Sequence, residues 1–253
     1  MTLETIAILI LAGIVGGAWN AVAGGATLFT FPALMLAGLP PVVANATNFL
    51  AMLPSNAAAL PAYRQELKGV GREIWPLLLV SGAGAICGSC LLLISEPKTF
   101  VALVPFLLLA ATSLFAFGGK IRGGLIAMLN RRSLTKPLYV VLFLSSIYGG
   151  YFGAGLGIIL LAIVQIMGFT NFHVANSLKN LLATSFTIIS ILVFGAGGIV
   201  AWSEAAVMMT GSTLGGYFGG RYTKRVNERL LKIMVVSFGV LLSLVYFYRT
   251  WVV

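Results

Sequence analysis

Apolar residues run almost unbroken along this chain, and polar positions collect in a few short stretches between the runs. A helix needs about 20 such residues to cross a bilayer. Runs of that kind are Ala44–Leu60, Ile74–Ile94, Phe100–Phe117, Val174–Phe194, Ala201–Gly220 and Leu230–Tyr248, and each predicts a membrane-spanning helix. Two further regions are apolar but interrupted. Thr5–Leu36 is too long for one ordinary span and breaks at Ala23-Gly24-Gly25. Pro137–Met167 breaks at Gly153-Ala154-Gly155-Leu156-Gly157. The stretches after the breaks, Thr27–Leu36 and Ile158–Met167, reach only about half a bilayer at about 1.5 Å per residue.

The interrupted pattern occurs twice. GGAWNAVAGGATLF from Gly16 precedes GLPPVVANATNFLA from Gly38, and GGYFGAGLGIIL from Gly149 precedes GFTNFHVANSLKNLLA from Gly168. Further along, Trp75 matches Trp202, Gly84 matches Gly211 and Gly88 matches Gly215. The expected fold is an all-α polytopic membrane protein with a first repeat over 1–117, a basic linker over 118–136 and a second repeat over 137–253. Each repeat comprises a glycine-broken helix, re-entrant or V-shaped, and three transmembrane helices. Gly84-x-x-x-Gly88 and Gly211-x-x-x-Gly215-x-x-x-Gly219 place small residues on one helix face, a pattern that lets membrane helices pack closely.

Charge sets the relation between the repeats. Arg64, Lys68 and Arg72 lie between the second and third segments of the first half, and the matching stretch around Gly197–Ser203 has no Lys or Arg. The next connection in the first half has Lys98 beside Glu96, whereas its counterpart has Arg221, Lys224, Arg225 and Arg229, running into Lys232. Equivalent loops thus carry opposite bias, which predicts inverted repeats under the positive-inside rule. With those loops and the linker inside, 13 of 16 basic residues face the cytoplasm and both termini lie outside.

Composition agrees. The chain has 253 residues, 59% hydrophobic and 9% charged, so a soluble domain is excluded. The net charge of +10 sits in loops and is topological rather than a nucleic-acid footprint. The N-terminus carries Glu4 and no basic residue, unlike the start of a cleaved signal peptide. Cys87 and Cys90 lie within an apolar run and read as buried small residues, not as a redox or metal pair.

A broken helix leaves backbone N–H groups that lipid cannot satisfy, and such a helix start attracts anions. Polar residues flank both breaks: Asn20, then Asn45, Thr47 and Asn48; in the second half Asn176, Ser177, Lys179 and Asn180. Asn45 and Asn48, three apart, share a helix face, as do Asn176 and Asn180, four apart. Lys179 is a charge in an apolar segment, which is a functional candidate by default. Acids are absent from the apolar segments; Glu4 and Glu204 lie near segment ends. A cation site would want carboxylates, so this set suits a small anion. The candidate substrate-binding residues are Asn20, Gly24, Gly25, Thr27, Asn45, Asn48, Gly155, Gly157, Asn176, Lys179 and Asn180. Gln165, in the second half-helix, is a further candidate for the same cavity, and His173 reads as an interfacial polar residue. Catalytic residues, metal ligands and a cofactor are not expected.

The residues Gly24-Gly25-Ala26-Thr27-Leu28, Pro32, Gly38, Pro41, Ala44, Asn45 and Thr47, followed by Gly149-Gly150, Gly153 to Gly157, Gly168 and Ala175-Asn176, resemble the TauE/SafE sulfite exporter family, also called 4-toluene sulfonate uptake permeases. Ala26 and Phe31 stand where that pattern has Gly and Val or Ile, and Asn48 near a more usual Ser. The resemblance implies a transporter of sulfite, sulfoacetate or sulfonates in the bacterial cytoplasmic membrane. The implied partners are a small anionic substrate and the lipid bilayer, with no nucleic acid and with a homodimer left open. Another small organic anion, or a membrane enzyme for sulfur-group transfer using Cys87 or Cys90, is the alternative.

Overall fold

The computed structural model describes residues 1–22, 25–57, 60, 64–129, 135–222 and 228–251. These form helices joined by turns, and no strand occurs among them. The first apolar stretch divides at its glycines: α1 (Leu3–Val22) ends before them and α2 (Thr27–Leu36) starts after them. The second divides into α7 (Thr135–Tyr151) and α8 (Leu156–Ile166). Gly25, Gly153 and Gly155 take φ of 88°, 77° and 74°, a left-handed backbone that costs other residues roughly 1–2 kcal/mol. The breaks therefore fall where the chain can turn without strain.

Between and beyond them run α3 (Pro41–Ala57), α4 (Arg64–Val70), α5 (Ile74–Ile94), α6 (Pro97–Leu129), α9 (Phe172–Ala196), α10 (Trp202–Tyr222) and α11 (Glu228–Trp251). Four helical runs among the described residues are long and apolar enough to cross a membrane: Leu3–Asn20, Arg64–Ile94, Pro97–Gly118 and His173–Ala196. Two connections are more ordered than the sequence suggests. Most of Pro61–Glu73 is helical, as α4 and a 3-10 turn over Gly71–Glu73. The proximal part of the basic linker continues α6 as far as Leu129.

Lipid gives apolar helices no hydrophobic reason to associate, so close backbone approach must hold them together. Glycine supplies it here. α1 packs along α10, and α5 along α7. A Cβ on Gly211 would run into the Ile10 carbonyl, and one on Gly215 into the Ile14 carbonyl. In the other pair, Gly84 sits against the Phe143 carbonyl and Gly88 against that of Ile147. Likewise Gly17 meets the Ser212 carbonyl, and Gly150 the Ala85 carbonyl. In both pairs residue numbers rise together along the contact, so the paired helices are parallel. Superposing Gly16-Gly17 on Gly149-Gly150 carries Ile10 onto Phe143 and Ile14 onto Ile147, so the two interfaces share one register.

The chain doubles back after α1. Gly16 faces Thr30, and the Trp19 and Phe29 rings lie 5.4 Å apart. α2 is enclosed: Leu28, Phe31 and Leu34 are fully buried, and Phe31 meets Phe152, at the second break, edge-on at 5.6 Å. α3 packs against α2, α9 and α10, with Phe49 edge-on to Phe194 at 5.4 Å.

The cysteines correct the sequence reading. Cys87 and Cys90 are exposed on α5. That helix is apolar around its whole circumference, so its composition does not reveal which face is covered; the covered face is the one with Gly84 and Gly88.

Candidate functional site

Both breaks are tied to one turn of α3. Asn45 and Asn48, three residues apart, are 0% and 2% exposed. Asn48 Nδ2 donates to the Thr27 hydroxyl at 3.2 Å, and its Oδ1 accepts from the Thr30 hydroxyl at 2.5 Å. Thr27 opens α2, so Asn48 holds the first break. Asn45 Nδ2 donates to the Tyr151 carbonyl at 2.8 Å. Tyr151 ends α7, so Asn45 holds the second break from the other half of the chain. The Asn45 Oδ1 is buried and has no hydrogen-bond partner. On the opposite side of α3, the Thr47 hydroxyl accepts from the Ala201 N–H at 3.0 Å and fixes the approach to α10.

The second break is also pinned from within, since the Tyr148 hydroxyl donates to the Ala154 carbonyl at 2.7 Å. Gly155 lies against the Ala111 backbone of α6. Beyond it, Lys179 of α9 lies over the start of α8: a Cβ on Gly157 would stand 3.8 Å from the lysine Cδ. Lys179 is half-buried. Asn176 and Asn180, half-buried, are on neighbouring turns of α9.

The helix starts at the two breaks are open. Neither Ala26, before α2, nor Gly155, before α8, provides a side-chain cap. By contrast, Asn171 caps α9 by accepting from the His173 and Val174 N–H groups. Turn hydrogen bonds take up the Leu28 and Phe29 N–H groups at α2 and the Leu156 and Ile158 N–H groups at α8, but each start keeps about half a positive charge. At α8 this coincides with a lysine.

Asn20 does not join this group. Its Nδ2 donates to Ser55 Oγ and Asn56 Oδ1, both at 2.8 Å, near the far end of α3. Gln165 stands eight residues beyond Gly157, about 12 Å along the helix axis, and its Oε1 is buried without a partner. His173 is exposed. Gly24 lies outside the described residues. Thr30 and Tyr148 were not singled out from sequence, although Thr30 lies within one turn of Thr27. Also unanticipated is an open cleft of about 670 Å³ lined by Ala57, Leu60, Arg64, Leu67 and Lys68. It lies at the end of α3, next to the Asn20 contacts.

Among the described residues no cluster of three His, Cys, Asp or Glu side chains could hold a metal ion. The family model described as "Sulfite exporter TauE/SafE" matches residues 9–246. A "Probable membrane transporter protein" of Haemophilus influenzae is 34% identical over 251 residues, covering 96% of each chain. "Probable membrane transporter protein ORF9" of a Sinorhizobium species is 29% identical, covering 96% of this chain and 93% of its own. "Probable membrane transporter protein YfcA" of Escherichia coli K12 is 27% identical, covering 93% of this chain and 87% of its own. No solved structure matches.

Proposed function

This chain belongs to the sulfite exporter TauE/SafE family of membrane transporters, and from that premise we propose that it carries a small sulfur-containing anion, of the sulfite, sulfoacetate or sulfonate class, across the bacterial cytoplasmic membrane. The observation that carries this reading is Lys179 lying over Gly157 at the uncapped start of α8. A cation beside the positive end of a helix, with no neighbouring carboxylate among the described residues, forms a site for an oxyanion. The second uncapped start, at Thr27, is linked to it through Asn48, Asn45 and the Tyr151 carbonyl.

Asn45 has a different part from the one its sequence position suggests. Its donor is committed to Tyr151, so it orients the second break rather than donating to the substrate. Asn20 likewise ties α1 to the end of α3. Lys179 and the Gly157 N–H make the primary contacts, with Thr27, Asn48 and Asn180 alongside.

The halves are inverted repeats in this reading. The shared register of α1 with α10 and of α5 with α7 supports it. So do the basic loops: with Arg64–Arg72 and Arg221–Lys232 inside, α1 and α10 both run inward, and α5 and α7 both outward. The termini then face outside. Because α1 is bound to α10 and α5 to α7, the bodies that move during alternating access each combine helices of both halves.

The test is flux of labelled anions into proteoliposomes, with and without a pH gradient, for the wild type and Lys179→Ala. Saturable flux of a sulfur oxyanion or sulfonate, lost in the variant, is the expected result. Movement of carboxylates alone would overturn the substrate class.

A further inference from the structure

We infer that Asn45 and four aromatic residues, Phe31, Phe100, Tyr151 and Phe152, form the outer gate of the transport path, closed in this structure. The inference rests on the transporter reading above, and its assignment to the outer face on the loop charges.

Position comes first. Asn45 Nδ2 donates to the Tyr151 carbonyl at 2.8 Å. Next to Tyr151, Phe152 meets Phe31 at 5.6 Å, and Phe100 meets Phe31, Phe152 and Tyr151 at 6.5, 6.4 and 5.6 Å. Phe31, Phe100 and Phe152 are fully buried. The Ser95 hydroxyl donates to that of Tyr151 at 3.4 Å, and Ser95 follows α5, whose other end adjoins Arg72. The 21 residues of α5 are about 31 Å long. Tyr151 therefore stands a bilayer's thickness from the basic Arg64–Arg72 stretch. The cleft lined by Arg64 and Lys68 is at the opposite end of α3, where Ala57 lies about 18 Å beyond Asn45 along the axis.

The way the parts join points to a gate rather than to plain packing. α1 with α10, and α5 with α7, approach through glycines set against backbone carbonyls, which leaves little room to slide. The cluster lies between these two pairs. Phe31 and Asn45 belong to α2 and α3, packed on α1 and α10, whereas Tyr151 and Phe152 end α7, packed on α5. Tilted rings and one hydrogen bond can part without unpacking either pair. Gly153 and Gly155, at φ 77° and 74°, follow directly and give the end of α7 a hinge. The Asn45 oxygen is buried without a partner, a cost of the closed state that water would remove on opening. One turn further along α3, Asn48 holds Thr27 and Thr30, so a single helical turn connects the gate with the site.

The test starts from Cys87→Ser with Cys90→Ser, since both native cysteines are exposed. In that background Phe152→Cys reports the gate through its reaction with a membrane-impermeant thiosulfonate, applied to either face of proteoliposomes with no anion present. Labelling from the outer face should be slow. Asn45→Ala should speed it about tenfold, the population shift expected from losing one buried hydrogen bond, and leave labelling from the inner face unchanged. Equal rates with and without the Asn45 side chain overturn the gate, and acceleration from the inner face overturns its placement. A second arm does not depend on Asn45→Ala. Phe31→Cys with Phe152→Cys, joined by a short reducible bifunctional thiol reagent, should lower labelled sulfite flux at least about tenfold, and reduction should restore it. Joined protein that carries sulfite at the unjoined rate also overturns the gate. If labelling responds to Asn45→Ala as expected but the unjoined protein moves no sulfite, the gate stands and the sulfite reading fails.

Discussion

Lys179 crosses Gly157 at ordinary van der Waals distance: the lysine Cδ is 3.8 Å from where a β-carbon would stand. Alanine at 157 therefore fits without displacing anything. A methyl there would still crowd the approach to the Gly157 N–H at the start of α8. We expect Gly157→Ala to melt like the wild type but to raise the KM for the anion about tenfold, near 1.4 kcal/mol of binding. An unchanged KM would move the anion away from α8.

Lys179→Gln keeps most of the length and removes the charge. Saturating flux should fall about tenfold or more, with normal yield and melting temperature, since a neutral amide is cheaper to bury in an apolar segment than an ammonium. Normal flux in this variant would sink the site.

Asn48→Ala should act on stability as well as transport. The side chain is 2% exposed and serves both Thr27 and Thr30. Removing it leaves two hydroxyls without that partner, at a cost of about 1–3 kcal/mol. Thermal unfolding in detergent measures the loss; a neutral result would mean that the threonines find other partners.

Gly88→Ala and Gly215→Ala should be comparably damaging, because each methyl would strike the equivalent carbonyl, of Ile147 and of Ile14 respectively. Overpacking of this kind costs about 1–3 kcal/mol. Gly124→Ala is the control: nothing lies within 4 Å of its Cβ position, and alanine suits a helix better. A large difference between the first two would count against a shared register.

Neutralising Arg64 and Lys68 together, as Arg64→Gln with Lys68→Gln, tests the cleft they line. A basic mouth concentrates anions in a salt-dependent way. The double variant should raise the KM severalfold for anion presented on that side and flatten its dependence on ionic strength, leaving saturating flux intact. Equal effects from both sides of the membrane would count against the cleft as an approach route.

The sequence made the breaks legible because backbone at positive φ calls for glycine; α2 begins and ends at the residues expected, Thr27 and Leu36. Lys179 stood out because a cation is costly in an apolar segment. What connects these parts was not legible. The Asn45 donor goes to a backbone carbonyl 106 residues away, and a carbonyl has no letter in the sequence. Asn20 precedes a break as the site pattern requires, yet its donor goes to Ser55 and Asn56. Helical periodicity places it on a face without saying what that face meets. Thr30 escaped notice because a threonine in a half-helix commonly bonds back to its own turn, as this one also does to the Ala26 carbonyl at 3.0 Å.

The pairing of α1 with α10 sets an order for biogenesis. Ile10 emerges from the ribosome long before its partner Gly211 exists. Until then α1 has no α10 against which to bury Gly13 and Gly17, and it must wait in the bilayer or beside an insertion factor. A chain truncated before residue 202 would lack that partner altogether and leave the glycine face of its first helix open to lipid. Such a truncation should be recognised as unassembled and degraded, even though nine of the eleven α-helices among the described residues would already have been made.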